Sequence, residues 1–470
     1  MMERSHRLLA GFLAESTLPK GLPCGYRKPH TAEEGGQHMS PTLTTKDNVL
    51  ITIRVLEDLT SGFGRHDFAV RLWDGTTWGD KERPRFTLVL QHPGALRKML
   101  TAPSELALGE AFIYDDFDVE GNMEAAFDLA DYLLAGEHSV AERLRFRGLL
   151  HNLPEGHRAD EGRLHERELG GALHSKERDR RAVTHHYDVG NDFYALWLDR
   201  RWVYSCGYFK SARDDLDTAQ EQKLDYICRK LRLRRGDRML DLGCGWGSLM
   251  EFAVTHYGVQ AYGVTLSVPQ AERARERFRM AGIGDRCKVE VSDYRDLETS
   301  QQYDKIVSVG MFEHVGEALL PEYFGRAWAL LRPGGVFLNH GIAASATFRR
   351  KGPSFIDKYV FPDGELVSVS TTLRAAEERG FEVRDLDSLR EHYALTLRHW
   401  GRRLEARANE ARKIAGDITY RVWRLYMSGA AHGFQTGRLN LYQILFSKPD
   451  HGDSGLPLTR ADWYAGRPCE

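Results

Sequence analysis

Glu313, His340 and Tyr393 supply a carboxyl, an imidazole and a phenol, side chains that move protons in enzyme sites. Glu313 stands in Gly310-Met311-Phe312-Glu313-His314-Val315-Gly316 and His340 in Asn339-His340-Gly341-Ile342, each after a short apolar run that reads as a buried strand. Open α/β sheets bind their ligands at the carboxyl ends of strands, so a carboxylate beside a glycine-containing turn there points to chemistry on a ligand. An aromatic-dense segment precedes both: HHYDVGNDFY at 185–194 leads through Trp197 to YSCGYF at 204–209.

Asp241-Leu242-Gly243-Cys244-Gly245-Trp246-Gly247 lies between an apolar strand and a helix, where a glycine-rich turn lets a ligand touch backbone. An acidic residue just before the first glycine, and no third glycine at dinucleotide spacing, favour a ligand with an amino-acid tail over a pyrophosphate. Asp241 can take the ammonium of such a tail, as in methionine. The next strand ends Gly263-Val264-Thr265-Leu266-Ser267, without the carboxylate that usually holds ribose hydroxyls. Thr265 and Gln270 can hydrogen-bond hydroxyls instead, and Ser267 ahead of Pro269 is also a helix-capping signal. Asp293 and Tyr294, after the third strand, offer an acceptor and a ring near an adenine.

The elements that must position these residues alternate strand and helix from about residue 184, as in a mostly parallel sheet with crossover helices on both faces. Strands are predicted over 238–242, 261–265, 287–291, 303–309 and 335–339, with helices over 246–256, 269–281 and 321–331. Segments 381–385 and 442–446 read as a terminal hairpin pair, separated by a helical insertion over 393–433. Ahead of this lies a smaller α+β domain: strands at 68–73 and 86–90, an Asp74-Gly75 turn, and helices at 93–100 and 122–134. The expected organisation is a leader at 1–48, a small domain at 49–136, a linker at 137–183 and the main domain at 184–470. The linker is expected to carry a basic amphipathic helix over 140–150 and a solvated charged run over 175–181.

A formal charge of −2 with 28% charged residues gives no global bias toward nucleic acid. No stretch reaches the ~20 apolar residues of a membrane span. The six cysteines, Cys24, Cys206, Cys228, Cys244, Cys287 and Cys469, contain no C-x-x-C pair and fit neither zinc-ligand spacing nor a disulfide framework, which points to a reducing, cytoplasmic compartment.

From 184 to 449 the chain resembles the cyclopropane-fatty-acyl-phospholipid synthases and the mycolic-acid cyclopropane synthases. The resemblance rests on the joint occurrence of HHYDVGNDFY, YSCGYF, LDLGCGWG, VTLS, MFEHVG, NHGI, FIDKYVFPDG and HGFQTGRLNLYQILF. LGEAFIY at 108–114 with DFD at 116–118 is similar to the small N-terminal domain of the bacterial phospholipid enzymes. The resemblance implies a class I S-adenosylmethionine-dependent methyltransferase fold, Rossmann-like, with a seven-stranded sheet ending in an antiparallel hairpin. It implies methyl transfer from the sulfonium to the cis double bond of an unsaturated phospholipid acyl chain. The resulting carbocation then loses a proton to bound bicarbonate as a ring closes. Carried over by motif, bicarbonate is held by the backbone of Cys206 and Ile342 and the side chains of Glu313, His340 and Tyr393. Tyr204, Ser205, Gly243 to Gly247, Thr265, Leu266 and Gln270 contact S-adenosylmethionine, with Tyr294 in place of a family tryptophan. A homodimer, peripheral on the inner face of the membrane, is also implied.

A carbocation in an apolar tunnel needs π faces, nearby negative charge and the exclusion of water. Tyr187, Phe193, Tyr208, Phe312 and Tyr359 are the candidate rings. Nothing in this chemistry requires a covalent adduct, so Cys206 reads as an inert pocket thiol. Relatives of similar motif content route the same cation to a methyl or methylene branch. A catalytically silent lipid-binding protein would keep the fold, but intact Glu313, His340 and Tyr393 argue against it. Arg349-Arg350-Lys351, and a helical cluster of Arg398, Arg402, Arg403, Arg407, Arg412 and Lys413 beside Trp400, are candidate membrane-docking cations. The helical cluster also reads as a solvated helix paired internally through Glu405 and Glu410.

Overall fold

Alternation of buried and half-exposed residues along Phe86–Leu90 makes a strand that faces core on one side only. It is β3 of a four-stranded sheet with β1 Phe68–Arg71, β2 Thr77–Gly79 and β4 Phe117–Gly121, in the order β2-β1-β3-β4. The Asp74-Gly75 turn joins β1 to β2: Gly75 takes φ +90° and the Thr76 amide donates to the Asp74 carboxylate at 2.9 Å. Helices Glu105–Ile113 and Met123–Leu134 start at side-chain caps, where Ser104 and Asn122 accept from the amides of Ala107 and Ala125. The computed structural model describes residues 44–135, 140–155, 170–187, 189–347 and 354–464.

The larger sheet contains β5 Arg238–Leu242, β6 Gln260–Thr265, β7 Cys287–Val291, β8 Tyr303–Val309, β9 Leu331–Ala344, β10 Glu382–Ser388 and β11 Leu439–Ser447. Its order is β10-β11-β9-β8-β5-β6-β7, parallel except for β11, which runs antiparallel to both neighbours. This is the expected α/β fold with its terminal hairpin. Strand order reverses at β5, with β6 on one side and β8 on the other, and that reversal opens a crevice at the carboxyl ends.

Two expectations are corrected. His340 and Ile342 lie inside β9 rather than after it, because β11 continues the ladder as far as Leu439 opposite Ala344. The charged run at 175–181 is the start of helix Lys176–Tyr187. Two of its charges are drawn inward, Arg178 gripping both oxygens of Asp363 at 2.6 and 2.8 Å and Asp179 receiving Arg295 at 2.8 Å, while Lys176, Glu177, Arg180 and Arg181 stay exposed as expected. The expected helical insertion is present as three helices, Arg390–Ala406, Ala408–Ala415 and Asp417–Gln435, the last break falling at Gly416 with φ +84°.

Of the six cations of the expected docking cluster, Arg398, Arg403 and Arg412 are paired within the protein, while Arg402, Arg407 and Lys413 are exposed. Arg398 holds the Glu124 carboxylate at 2.6 and 2.7 Å, Arg403 holds Asp217 at 2.7 Å, and Arg412 holds Asp417 at 2.7 Å. Trp400 is fully buried, so it offers nothing to a lipid surface. Among the described residues, no helix is long and apolar enough to cross a membrane. From Thr45 onward the chain makes one compact unit containing both sheets.

Candidate active site

The glycine loop after β5 is shaped by backbone that only glycine adopts easily. Gly243 has φ +85° and its amide donates to the Val264 carbonyl at 3.0 Å; a Cβ there would come within 2.7 Å of Met311. Gly245, at φ +53°, faces open space. The loop borders a cleft at the switch point of the sheet. Every residue expected at the cofactor lines this cleft except Gly247. Gly247 instead occupies the left-handed start of helix Ser248–Tyr257, where a Cβ would meet Phe278 at 2.6 Å.

Asp241 is buried at the cleft, and burial, opposed by the charge of Lys223, pushes its carboxyl up to about 7. The Thr265 hydroxyl donates to Gln270 Oε1 at 2.9 Å while Ser267 caps helix Val268–Met280, so both readings of that segment hold together. Gln270 Nε2, Tyr204 Oη and Tyr294 Oη are buried without a hydrogen-bond partner. A lined cleft with stranded polar atoms fits an adenosyl ligand with several hydroxyl and ring-nitrogen contacts. Asp293 is already engaged: Arg295 holds its two oxygens at 2.8 and 2.6 Å, which outweighs the effect of burial and keeps its carboxyl below the usual range.

None of the five residues expected to hold bicarbonate, Cys206, Glu313, His340, Ile342 and Tyr393, lines the cleft itself. Glu313 is flanked by wall residues Met311 and His314, and Cys206 follows wall residue Ser205. The Ile342 amide donates to Glu313 Oε1 at 2.7 Å, and Oε2 is buried without a partner. Burial pushes the Glu313 carboxyl up to about 7 against the pull of that amide. His340 is buried two residues before Ile342 on the same face of β9; burial, reinforced by Lys223 and Lys230, keeps its imidazole neutral. Gln443 Nε2 lies 3.0 Å from His340 Nδ1, and His340 Nε2 has no partner. Burial first, then the neighbouring Tyr426, Cys206 and Glu313 groups, hold the Tyr393 phenol well above its ordinary value. The Cys206 thiol donates to the Gly207 carbonyl at 3.2 Å and is pushed up by burial, which leaves no thiolate.

Of the five candidate rings, Tyr187 lines the cleft and feels the charge of Glu313. Phe193 packs against Trp197 and Trp423, Tyr208 stacks on Tyr226 and His392, and Phe312 packs on Tyr323 and Phe324. The Tyr359 hydroxyl donates to Glu110 at 3.0 Å. Behind Tyr204 stands an aromatic wall: His186 stacks on Phe361 with centroids 4.1 Å apart and on Tyr204 at 5.6 Å, and its Nδ1 lies 2.8 Å from the Val360 carbonyl. Sequence reasoning missed this stack and missed Lys223, a buried lysine on the cleft wall. The signal for Lys223 was a charge four residues after Ala219 and four before Ile227, on the apolar stripe of its helix.

A seven-stranded α/β sheet whose glycine loop and buried carboxyl meet at the switch point defines an S-adenosylmethionine-dependent methyltransferase. The chain belongs to the mycolic acid cyclopropane synthetase family, whose model matches residues 174–444. Residues 55–133 match a domain of unknown function, DUF7884. The chain is 40% identical to "Probable fatty acid methyltransferase" of Pseudomonas putida over 84% of its own length and 95% of that protein. It is 38% identical to the cyclopropane-fatty-acyl-phospholipid synthase of Escherichia coli (strain K12), over 59% of its own length and 70% of that enzyme. Among solved structures, the cyclopropane synthase MmaA2 from Mycobacterium tuberculosis aligns at TM-score 0.55 and 31% identity, covering 57% of this chain and 97% of that one. The mycolic acid cyclopropane synthase CmaA1, complexed with SAH and CTAB, aligns at TM-score 0.54 and 33% identity with the same coverage.

Proposed function

We propose that this enzyme transfers a one-carbon unit from S-adenosylmethionine to the cis double bond of an unsaturated acyl chain of a membrane phospholipid, closing a cyclopropane ring. The observation that carries this reading is Glu313: a buried carboxyl beside the cofactor cleft with one oxygen unpaired and its pKa raised to about 7. Bound S-adenosylmethionine supplies an electrophilic methyl group. Asp241 takes the ammonium of its methionyl tail, and Tyr204, Gln270 and Tyr294 offer their unpaired groups to the adenosyl portion. His186, Tyr187 and Tyr204 present π faces to the cationic centres, and the buried wall keeps out water that would trap a carbocation as an alcohol.

The proton that leaves as the ring closes needs an acceptor. The residues present fit a small oxyanion such as bicarbonate: a neutral Glu313 donates through its O–H, and Gln443 donating to His340 Nδ1 leaves the His340 Nε2–H to donate as well. The Ile342 amide is bound to Glu313 here, so Ile342 acts by orienting that carboxyl. Tyr393 and Cys206 complete the surroundings. Peripheral contact with the inner membrane face of the cytoplasm, and a homodimer, belong to the same proposal.

A second reading is favoured by a relative that shares 95% of its length with this chain and is named a fatty acid methyltransferase: the same cation ends in a methyl or methylene branch. Labelled S-adenosylmethionine with defined unsaturated phospholipids, followed by fatty acid analysis, decides between them. The expected result is a gain of one CH₂ with wild type and a loss of at least about 100-fold with Glu313→Gln. Ring and methylene products are isomers separated by ozonolysis, and a reduced methyl branch is heavier by two hydrogens. No transfer with any unsaturated lipid, despite cofactor binding, rejects both readings.

A further inference from the structure

Lys223 lies on helix Leu216–Lys230, is 1% exposed, and lines the cofactor cleft. Its ammonium donates to Ser205 Oγ at 2.9 Å, and no carboxylate forms an ion pair with it among the described residues. The two anions that act on it from a distance are spoken for. Asp199 accepts the amides of Arg201 and Val203 at 2.8 and 2.7 Å, and Asp241 is the carboxyl assigned to the ammonium of the methionyl tail. The other described cation of the wall, Arg295, is tied to Asp179 and Asp293 at 2.8 and 2.6 Å.

A buried ammonium bound only to a neutral hydroxyl is costly, and the cost is relieved when a counter-anion enters the site. The amino-acid tail of S-adenosylmethionine is a zwitterion with one ammonium and one carboxylate. Asp241 answers the first and leaves the second without a partner. We propose that Lys223, positioned by Ser205, binds the methionyl carboxylate of S-adenosylmethionine, so that Asp241 and Lys223 read the two ends of the zwitterion. Lys223 thereby selects for an intact amino-acid tail, and it aligns the sulfonium by fixing the tail at two points. This rests on the reading of the cleft as the S-adenosylmethionine site.

The test compares S-adenosylmethionine with decarboxylated S-adenosylmethionine, which lacks only the carboxylate, by isothermal titration of the full chain. Wild type is expected to prefer the intact ligand. Lys223→Met is expected to weaken S-adenosylmethionine by about 10-fold to 100-fold while leaving the decarboxylated ligand unchanged, which abolishes the preference. Ser205→Ala, a smaller change that spares the charge, is expected to move the same ratio in the same direction by less. Equal weakening of both ligands by Lys223→Met and Ser205→Ala marks Lys223 as structural and overturns the inference, as does no change in either. Wild-type protein that binds neither ligand overturns the cofactor-site reading and this inference together.

Discussion

A carboxyl such as Glu313, cut off from water with one oxygen on the Ile342 amide and the other unpaired, is easier to protonate than a solvated one. Its folded-state value of about 7 stands above the ordinary 4.5, so folding favours the protonated form. That stabilisation is fully present below the unfolded pKa and is lost as pH rises through about 7. Glu313→Gln is neutral at every pH and is therefore predicted to melt above wild type at pH 8, with little difference at pH 5. Asp241 titrates in the same direction but is common to both proteins, so the difference isolates Glu313. A melting-temperature gap equal at the two pH values contradicts the burial argument. Residue type and strand-end position pointed to Glu313, whereas His340 lies inside β9 and Tyr393 on a helix, both singled out through the family's motifs. The protonation states of the three were not legible, because those depend on water exclusion by distant segments such as 186–204.

At the scale of elements, the segment from Phe355 to Phe361 connects the small sheet's helices to the aromatic wall. Lys358 and Tyr359 both reach Glu110 at 3.0 Å, while Phe361 stacks on His186. Gly109 permits this contact: a Cβ there would meet the Phe355 ring at 2.4 Å. Gly109→Val is predicted to displace Phe355 and to lower stability by about 1–3 kcal/mol in urea unfolding. Gly148→Ala, in an exposed helical position with nothing within 4 Å, is predicted to raise stability by up to about 1 kcal/mol. If both substitutions shift the midpoint alike, close packing at Gly109 is not what matters. Strand positions were readable because period-two alternation and turn residues are local. The length of β9 was not, since its last residues are strand only through pairing with β11, some hundred residues later.

At the scale of the molecule, the small sheet and the catalytic sheet are joined by charge pairs as well as by packing. Arg421 donates to Asp115 at 2.6 Å and to the Phe112 carbonyl at 3.1 Å, Arg424 to Asp118 at 3.0 Å, and Arg398 to Glu124. Cations occupied in this way are withdrawn from any lipid surface. Arg402, Arg407 and Lys413 stay exposed on the insertion, and the other basic cluster, Arg349-Arg350-Lys351, lies outside the described residues. At about 1 kcal/mol per cation near an anionic surface, loss of Arg349, Arg350 and Lys351 together is predicted to weaken sedimentation with anionic liposomes by at least about 10-fold. Binding of the triple alanine variant equal to wild type removes that cluster from the docking model.

The sequence by itself determined the strand and helix order and the glycine loop, because periodicity and turn chemistry are properties of neighbouring residues. Only the tertiary structure decided that Lys223 enters the cleft, that of the five candidate rings Tyr187 lines it, and that Arg398, Arg403, Arg421 and Arg424 bind acids of the small sheet and the catalytic core. Burial and charge pairing are set by segments that meet in space while standing far apart in the chain, and no local pattern records which of them will meet.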